Sequence, residues 1–114
     1  MEICKTIDSI AWRPHPVAKN VTIKTLVTKK EDSLNVTCML VKIPAGAEVP
    51  EHVHEEQVDI LYPLKGQAQM AVAGAGQFVL KPGMVVRVPK ATKHKIFDVT
   101  EELLIYDVFH PATL

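Results

Sequence analysis

Cysteine is scarce: the 114-residue chain holds only Cys4 and Cys38. They allow at most one intramolecular bridge, and their spacing is wrong for a paired thiol site. That excludes a disulfide scaffold. Net charge is missing too, because 13 Lys plus Arg balance 13 Asp plus Glu. Such a balance gives no support to a general role on nucleic acid or at a membrane surface. No apolar run approaches transmembrane length, and the opening MEICKTIDSIAWRP carries no signal-peptide pattern. A cytoplasmic protein with neither nucleic-acid nor membrane partners is expected. The chain also lacks a sustained helical stripe, a solenoid repeat and a low-complexity tract.

What is present is apolar and β-rich. Hydrophobic residues make up 47% and charged residues 23%, enough for one folded domain with a real core. Residues 1–20 read as a leader packing on the domain or exchanged over it. Pro14 and Pro16 flank His15 there, which argues against a continuous helix or a central strand, and Trp12 is an apolar anchor. Residues 21–111 form the domain. Short β-rich runs follow one another: VTIKTLVT, LNVTCMLVKI, DILYPLK, QAQMAVA, GQFVLK, MVVRVPK, HKIFDV and ELLIYDVF. KKEDS reads as a polar turn, and Pro63, which removes a backbone donor inside DILYPLK, predicts a bulge, an edge or a crossover. Many short strands at close spacing indicate an antiparallel sandwich or barrel.

Charge is unevenly distributed. Glu48, Glu51, Glu55, Glu56 and Asp59 form an acidic stretch, and Lys81, Arg87, Lys90, Lys93 and Lys95 a basic one. Either these are two solvated surfaces, or they form a bipolar rim that orients an anionic ligand.

The chemistry-bearing residues are histidines and acids. His52 and His54 are separated by one residue, so in an extended chain both imidazoles leave the same face. Two neutral nitrogen donors side by side suit Zn, Fe, Ni or Mn. A sandwich can bring His94, in a later strand, beside them. Three histidines and one oxygen ligand leave room for water or substrate, as a catalytic metal requires. The oxygen ligand is either Asp59 or Gln57, which share a strand face; the ionised carboxylate is favoured over the neutral amide. His15 and His110 both adjoin proline and read as terminal or rim residues.

These residues sit in two spaced motifs. The first runs Gly46, five residues, His52, one, His54, four, Asp59, six, Gly66; the second runs Gly83, five residues, Pro89, one, Ala91, two, His94, three, Asp98. Both resemble the conserved motifs of the cupin family, over residues 46–98. The resemblance implies an all-β cupin double-stranded β-helix, a jelly-roll barrel or sandwich, with one divalent transition metal ion (Fe, Mn, Ni or Zn) per chain. The chain departs from the family pattern at Asp59 (glutamate in the family), at Ala91 (glycine) and at Asp98 (asparagine). Asp98 is expected to keep a turn or strand-end hydrogen-bonding role rather than to bind metal. IYDVFHP, residues 105–111, resembles the last strand of small cupins that include enzymes acting on unsaturated uronate sugars.

Val41, Ile43, Leu61, Val86, Val88 and Ile96 would line the cavity that the resemblance implies. The functional expectation is a metal-dependent enzyme acting on a small oxygenated, anionic metabolite by isomerisation, tautomerisation or sugar-acid ring opening. A non-catalytic metabolite-binding cupin and an Fe(II)-dependent dioxygenase are the alternatives. Tyr62, Tyr106, His110 and Glu102 are the candidate acid–base groups, and Arg87 or Lys42 could bind a carboxylate. A homodimer is expected from the resemblance and from the apolar stripe of Ile60, Tyr62 and Leu64, which lies opposite Asp59. Intramolecular cover of that stripe by the leader is the competing arrangement.

Overall fold

The alternating apolar pattern gives what period-two patterning dictates, a protein whose regular structure is almost wholly strand. A computed structural model describes residues 3–114, so the first two residues of the expected leader lie outside the described residues. The strands are β1 (Arg13–Pro14), β2 (Thr22–Val27), β3 (Thr37–Ile43), β4 (Val49–His52), β5 (Val58–Val72), β6 (Gly76–Leu80), β7 (Val86–Val88) and β8 (His94–His110). They are antiparallel in the order β1-β2-β3-β8-β5-β6, with β4 also paired to β8 and β7 to β5. This is the eight-stranded jelly-roll architecture that the motifs implied.

Two expectations of local structure change. KKEDS is not a simple turn, because Lys29–Asp32 form one turn of α-helix, α1. Thr28 caps it by accepting from the Glu31 N–H, and Ser33 ends it in the left-handed region. Asp32 then receives the Thr28 N–H and the Lys5 ammonium, whose Nζ lies 2.8 Å and 2.9 Å from its two carboxylate oxygens. Those contacts hold the Asp32 carboxyl below the usual range, first through the Lys5 hydrogen bond and then through the Thr28 amide. The same lysine donates to the Leu26 carbonyl, so it ties the start of the leader to the end of β2.

The second change matters more for the site. DILYPLK and QAQMAVA are one strand, β5, and HKIFDV and ELLIYDVF are one strand, β8. The two pair along their whole length, from Val58 opposite His110 to Val72 opposite His94. If β5 were straight, the 13 steps from Asp59 to Val72 would cover about 43 Å. Yet Asp59 Oδ2 lies 3.5 Å from Nε2 of His94, the residue paired with Val72. The β5–β8 ribbon therefore bends back on itself until its two ends face each other.

The bend has identifiable causes. The pairing register shifts between Pro63 and Lys65, again between Lys65 and Gln67, and again before Gln69. Pro63, as expected, sits where the ladder first slips. Gly66 has φ +89°, and a Cβ there would run into the backbone carbonyl of Glu102 on the facing strand. Only glycine meets both demands. Across the bend, Asp98 adopts φ +48°, a conformation aspartate tolerates better than most residues. Its side chain makes no hydrogen bond among the described residues, so its contribution is backbone geometry rather than the side-chain bond expected of it.

The core lies inside the bent ribbon. Ile43, Met70, Leu80, Leu103 and Ile105 are fully buried there, each worth about 1.5–3 kcal/mol of apolar transfer. The leader follows the edge of the sheet, with Arg13 opposite Ile23 and Pro14 opposite Thr22. Trp12 is held against two ammonium groups, Lys24 at 4.8 Å and Lys42 at 4.2 Å from the ring centre.

Candidate metal centre

His52 ends β4 and His94 begins β8, and the two are direct cross-strand partners. Their ring centres are 4.0 Å apart; His54 lies 5.0 Å from His52 and 5.3 Å from His94. One ligand atom from each of the three comes within 4.8 Å of the others, an arrangement able to hold one divalent metal ion. The Ala91 N–H donates to the His54 carbonyl at 2.8 Å, tying the turn before β8 to the segment after β4. Ala91 makes that turn at φ +56°, the conformation for which the family pattern supplies glycine.

The ring orientations are fixed by the backbone. His52 Nδ1 lies 2.8 Å from the Pro50 carbonyl, and His94 Nδ1 lies 2.8 Å from the Thr92 carbonyl. A carbonyl only accepts, so both Nδ1 atoms must carry the proton. Each neutral ring then keeps its lone pair on Nε2, the tautomer a metal needs. Burial holds His52 and His54 below the ordinary histidine pKa, and repulsion from the neighbouring imidazoles adds to it. Both rings are therefore neutral, ligand-ready groups at neutral pH. His54 also packs edge-on against Phe109, with ring centres 4.9 Å apart.

The residues present fit a metal ion on a second ground. His94 Nε2, Asp59 Oδ1 and Asp107 Oδ1 are buried without a hydrogen-bond partner among the described residues. An unsatisfied buried polar atom costs about 1–3 kcal/mol. A protonated Asp107 can share its proton with the facing Asp59, which leaves His94 Nε2 as the buried atom that calls for a missing partner. Asp59 Oδ2 also lies 3.9 Å from His54 Nε2. Gln57 is turned elsewhere, its amide nitrogen 3.4 Å from the Ala112 carbonyl.

The cavity around these groups has a volume of about 400 Å³. Val41, Leu61 and Ile96 line it as expected, together with Met39, Ile105 and Phe109, whereas Ile43 and Val88 lie in the core behind it. A more open depression of about 560 Å³ lies at the bend, between Gly46 and Asp98. It holds none of the histidines, so the smaller cavity is the chemical one.

Other expected groups lie elsewhere. Tyr62 is 50% exposed on the outer face of β5. Tyr106, its partner in β8, faces outward as well, and a hydrogen bond with Cys38 raises its pKa. His110 is exposed at the end of β8, and Glu102 pairs with Lys65 at 3.5 Å beside the bend. None of the four lines the cavity. Arg87 is exposed between the inward Val86 and Val88, and Lys42 lies over Trp12. Among the described residues no Lys or Arg lines the cavity, so no basic rim reaches a ligand there. Strand alternation placed those cations on the outer face.

Two titratable residues of the cavity escaped the sequence reading. Asp107 is buried between Ile105 and Phe109, which face the same way. Burial, and after it the Asp59 carboxylate, pushes the Asp107 carboxyl well above its usual range. The available signal was an acid in the apolar phase of the last strand: Leu103, Ile105, Asp107 and Phe109 alternate. The other is His15, carried into the cavity wall by the leader. Its proline neighbours suggested only a rim.

A family model described as "Cupin domain" matches residues 39–109. No curated protein sequence matches the chain. Among solved structures, ectoine synthase from P. lautus superposes with a TM-score of 0.83 at 21% identity, covering 96% of this chain and 78% of that one. KdgF from Halomonas sp. gives a TM-score of 0.76 at 24% identity, over 91% of this chain and 90% of that one. A Thermotoga maritima protein described as a predicted oxalate decarboxylase gives 0.83 at 20% identity, over 96% and 99%. At these identities the likeness is one of fold.

Proposed function

The chain belongs to the cupin family, and we propose that it is a metal-dependent enzyme acting on a small oxygenated metabolite by isomerisation, tautomerisation or ring opening. The observation that carries this reading is the convergence of three histidines on one cavity, two of them with Nε2 freed by a backbone carbonyl. His52, His54 and His94 would hold the ion through nitrogen, and Asp59 rather than Gln57 would supply the oxygen. A divalent ion in that set supplies Lewis acidity toward a carbonyl or hydroxyl oxygen.

The rest of the work falls to the chain. Met39, Leu61, Ile105 and Phe109 exclude water from one side of the cavity. Asp107 places a carboxyl facing Asp59 on the same wall, where it can hold a proton and return it to a neighbouring carbon or oxygen. With no Lys or Arg in the wall, the metal would supply the positive charge that meets an anionic group. That favours a neutral or singly charged substrate over a polyanion. Similar structures named as an ectoine synthase and as a predicted oxalate decarboxylase support the enzymatic reading, since this scaffold carries named enzymes of different reactions.

Incubation in D2O with a panel of small hydroxy-carbonyl compounds tests the proposal. Proton NMR should show metal-dependent loss of an α-proton signal, abolished in His94→Ala. Ligand binding without exchange or conversion across the panel would identify a binding module instead.

The expected partner is a second copy of the chain. Tyr62 and Leu64, 50% and 44% exposed, remain uncovered because the leader pairs with β2 instead. Light scattering should give a dimer mass that Tyr62→Lys reduces.

A further inference from the structure

His15 stands apart from the three histidines gathered around the centre. Its Nδ1 accepts two backbone hydrogen bonds, from the Val17 N–H at 3.0 Å and the Ala18 N–H at 2.9 Å. Its backbone N–H donates to the Val21 carbonyl at 2.9 Å, so the whole turn is pinned to the start of the domain. An Nδ1 that accepts cannot carry the proton, and the neutral ring must hold it on Nε2. This is the reverse of His52 and His94, whose Nδ1 atoms donate. The ring lines the same cavity, and its Nε2 has no protein partner among the described residues.

We propose that His15 is a substrate-positioning residue, which donates its Nε2–H to an oxygen of the ligand held at the metal centre. The inference rests on the metal-dependent reading above and adds a specificity element from outside the two motifs. The backbone sets the division of labour: two amides impose the donor tautomer on His15, and two carbonyls impose the ligand tautomer on His52 and His94. Burial and the nearby His52 keep His15 neutral, so the same tautomer persists at neutral pH. With no cation in the wall, a neutral N–H donor selects a carbonyl or hydroxyl oxygen without requiring a formal negative charge.

The test separates the turn from the donor. Asparagine at position 15 can accept the Val17 and Ala18 amides through its carbonyl oxygen, as in an Asx turn, but it does not reach the cavity with a donor. Cobalt(II) is loaded into wild type and His15→Asn, and acetohydroxamate, an oxygen chelator, is titrated against the visible spectrum. The expected result is equal cobalt affinity with an acetohydroxamate Kd about fivefold weaker in the variant, the size of one neutral hydrogen bond. Equal acetohydroxamate affinity with cobalt bound to both proteins would overturn the role of His15 and leave the metal centre standing. Failure of wild type to bind cobalt would overturn the metal reading and this inference with it. Long-range 1H–15N correlation on the metal-free wild type needs no variant: the expected pattern is Nε2–H for His15 and Nδ1–H for His52 and His94. An Nδ1–H tautomer at His15 refutes the donor assignment.

Discussion

The β5–β8 ribbon is built differently at its middle and at its ends. The middle, around Gly66 and Glu102, does its work with backbone: register slips, a positive φ and a close strand approach. The ends, around Asp59 and His94, work with side chains whose polar atoms are buried and incompletely paired. The middle is shaped for bending, whereas the ends keep buried polar atoms at a cost to stability. Unsatisfied polar atoms at one point and satisfied strain at another are what separate a functional site from an architectural one.

The contrast is broken most severely at the middle. Gly66→Ala should destabilise the protein by about 3–4 kcal/mol, because it combines a left-handed backbone with a backbone clash. A thermal melt should show Tm lowered on the order of 10 °C or more, or no folded protein.

Next comes the end. His94→Ala should weaken metal binding by more than the ~10–100-fold typical of losing an outer hydrogen-bond partner of a ligand. Its metal-free melt should move far less than that of Gly66→Ala. Equal collapse of both variants would show that the ends are architectural as well.

Acidity sharpens the comparison further. His52 and His54 have folded pKa values below the unfolded one, so the unfolded chain binds more protons as pH drops. Metal-free protein should therefore lose stability as pH falls below about 6.5. Asp107 acts in the opposite sense: its folded pKa is raised, so its contribution to stability declines as pH rises above about 3.9. Urea unfolding of metal-free wild type and Asp107→Asn at several pH values should show the variant gaining relative stability toward neutral pH. A pH-independent difference would mean that Asp107 does not titrate on unfolding.

The smallest effect concerns the turn before β8. Ala91→Gly should stabilise by about 0.5–1 kcal/mol, relief of the left-handed alanine being partly offset by the freer unfolded chain. Metal affinity should stay within twofold, since the Ala91 N–H to the His54 carbonyl is kept.

Period-two patterning made most strands and the same-face pair His52 and His54 legible, and the resemblance of the two motifs to the cupin family implied the jelly roll and the place of His94 beside them. The joining of strands across Gly66 was not legible, because a glycine in a strand marks a break or a bend equally well in one dimension. Asp107 was hidden for a related reason. Its neighbours spell an apolar strand, and nothing local tells an acid in that phase that Asp59 faces it.

By itself, then, the sequence determined the faces: which side chains point together is a matter of strand parity, a local property. Only the tertiary structure decided which faces meet. The bend that brings Asp59 to His94 and the entry of His15 depend on contacts between distant residues. Those are set by how the whole core closes, and no short stretch of chain encodes them.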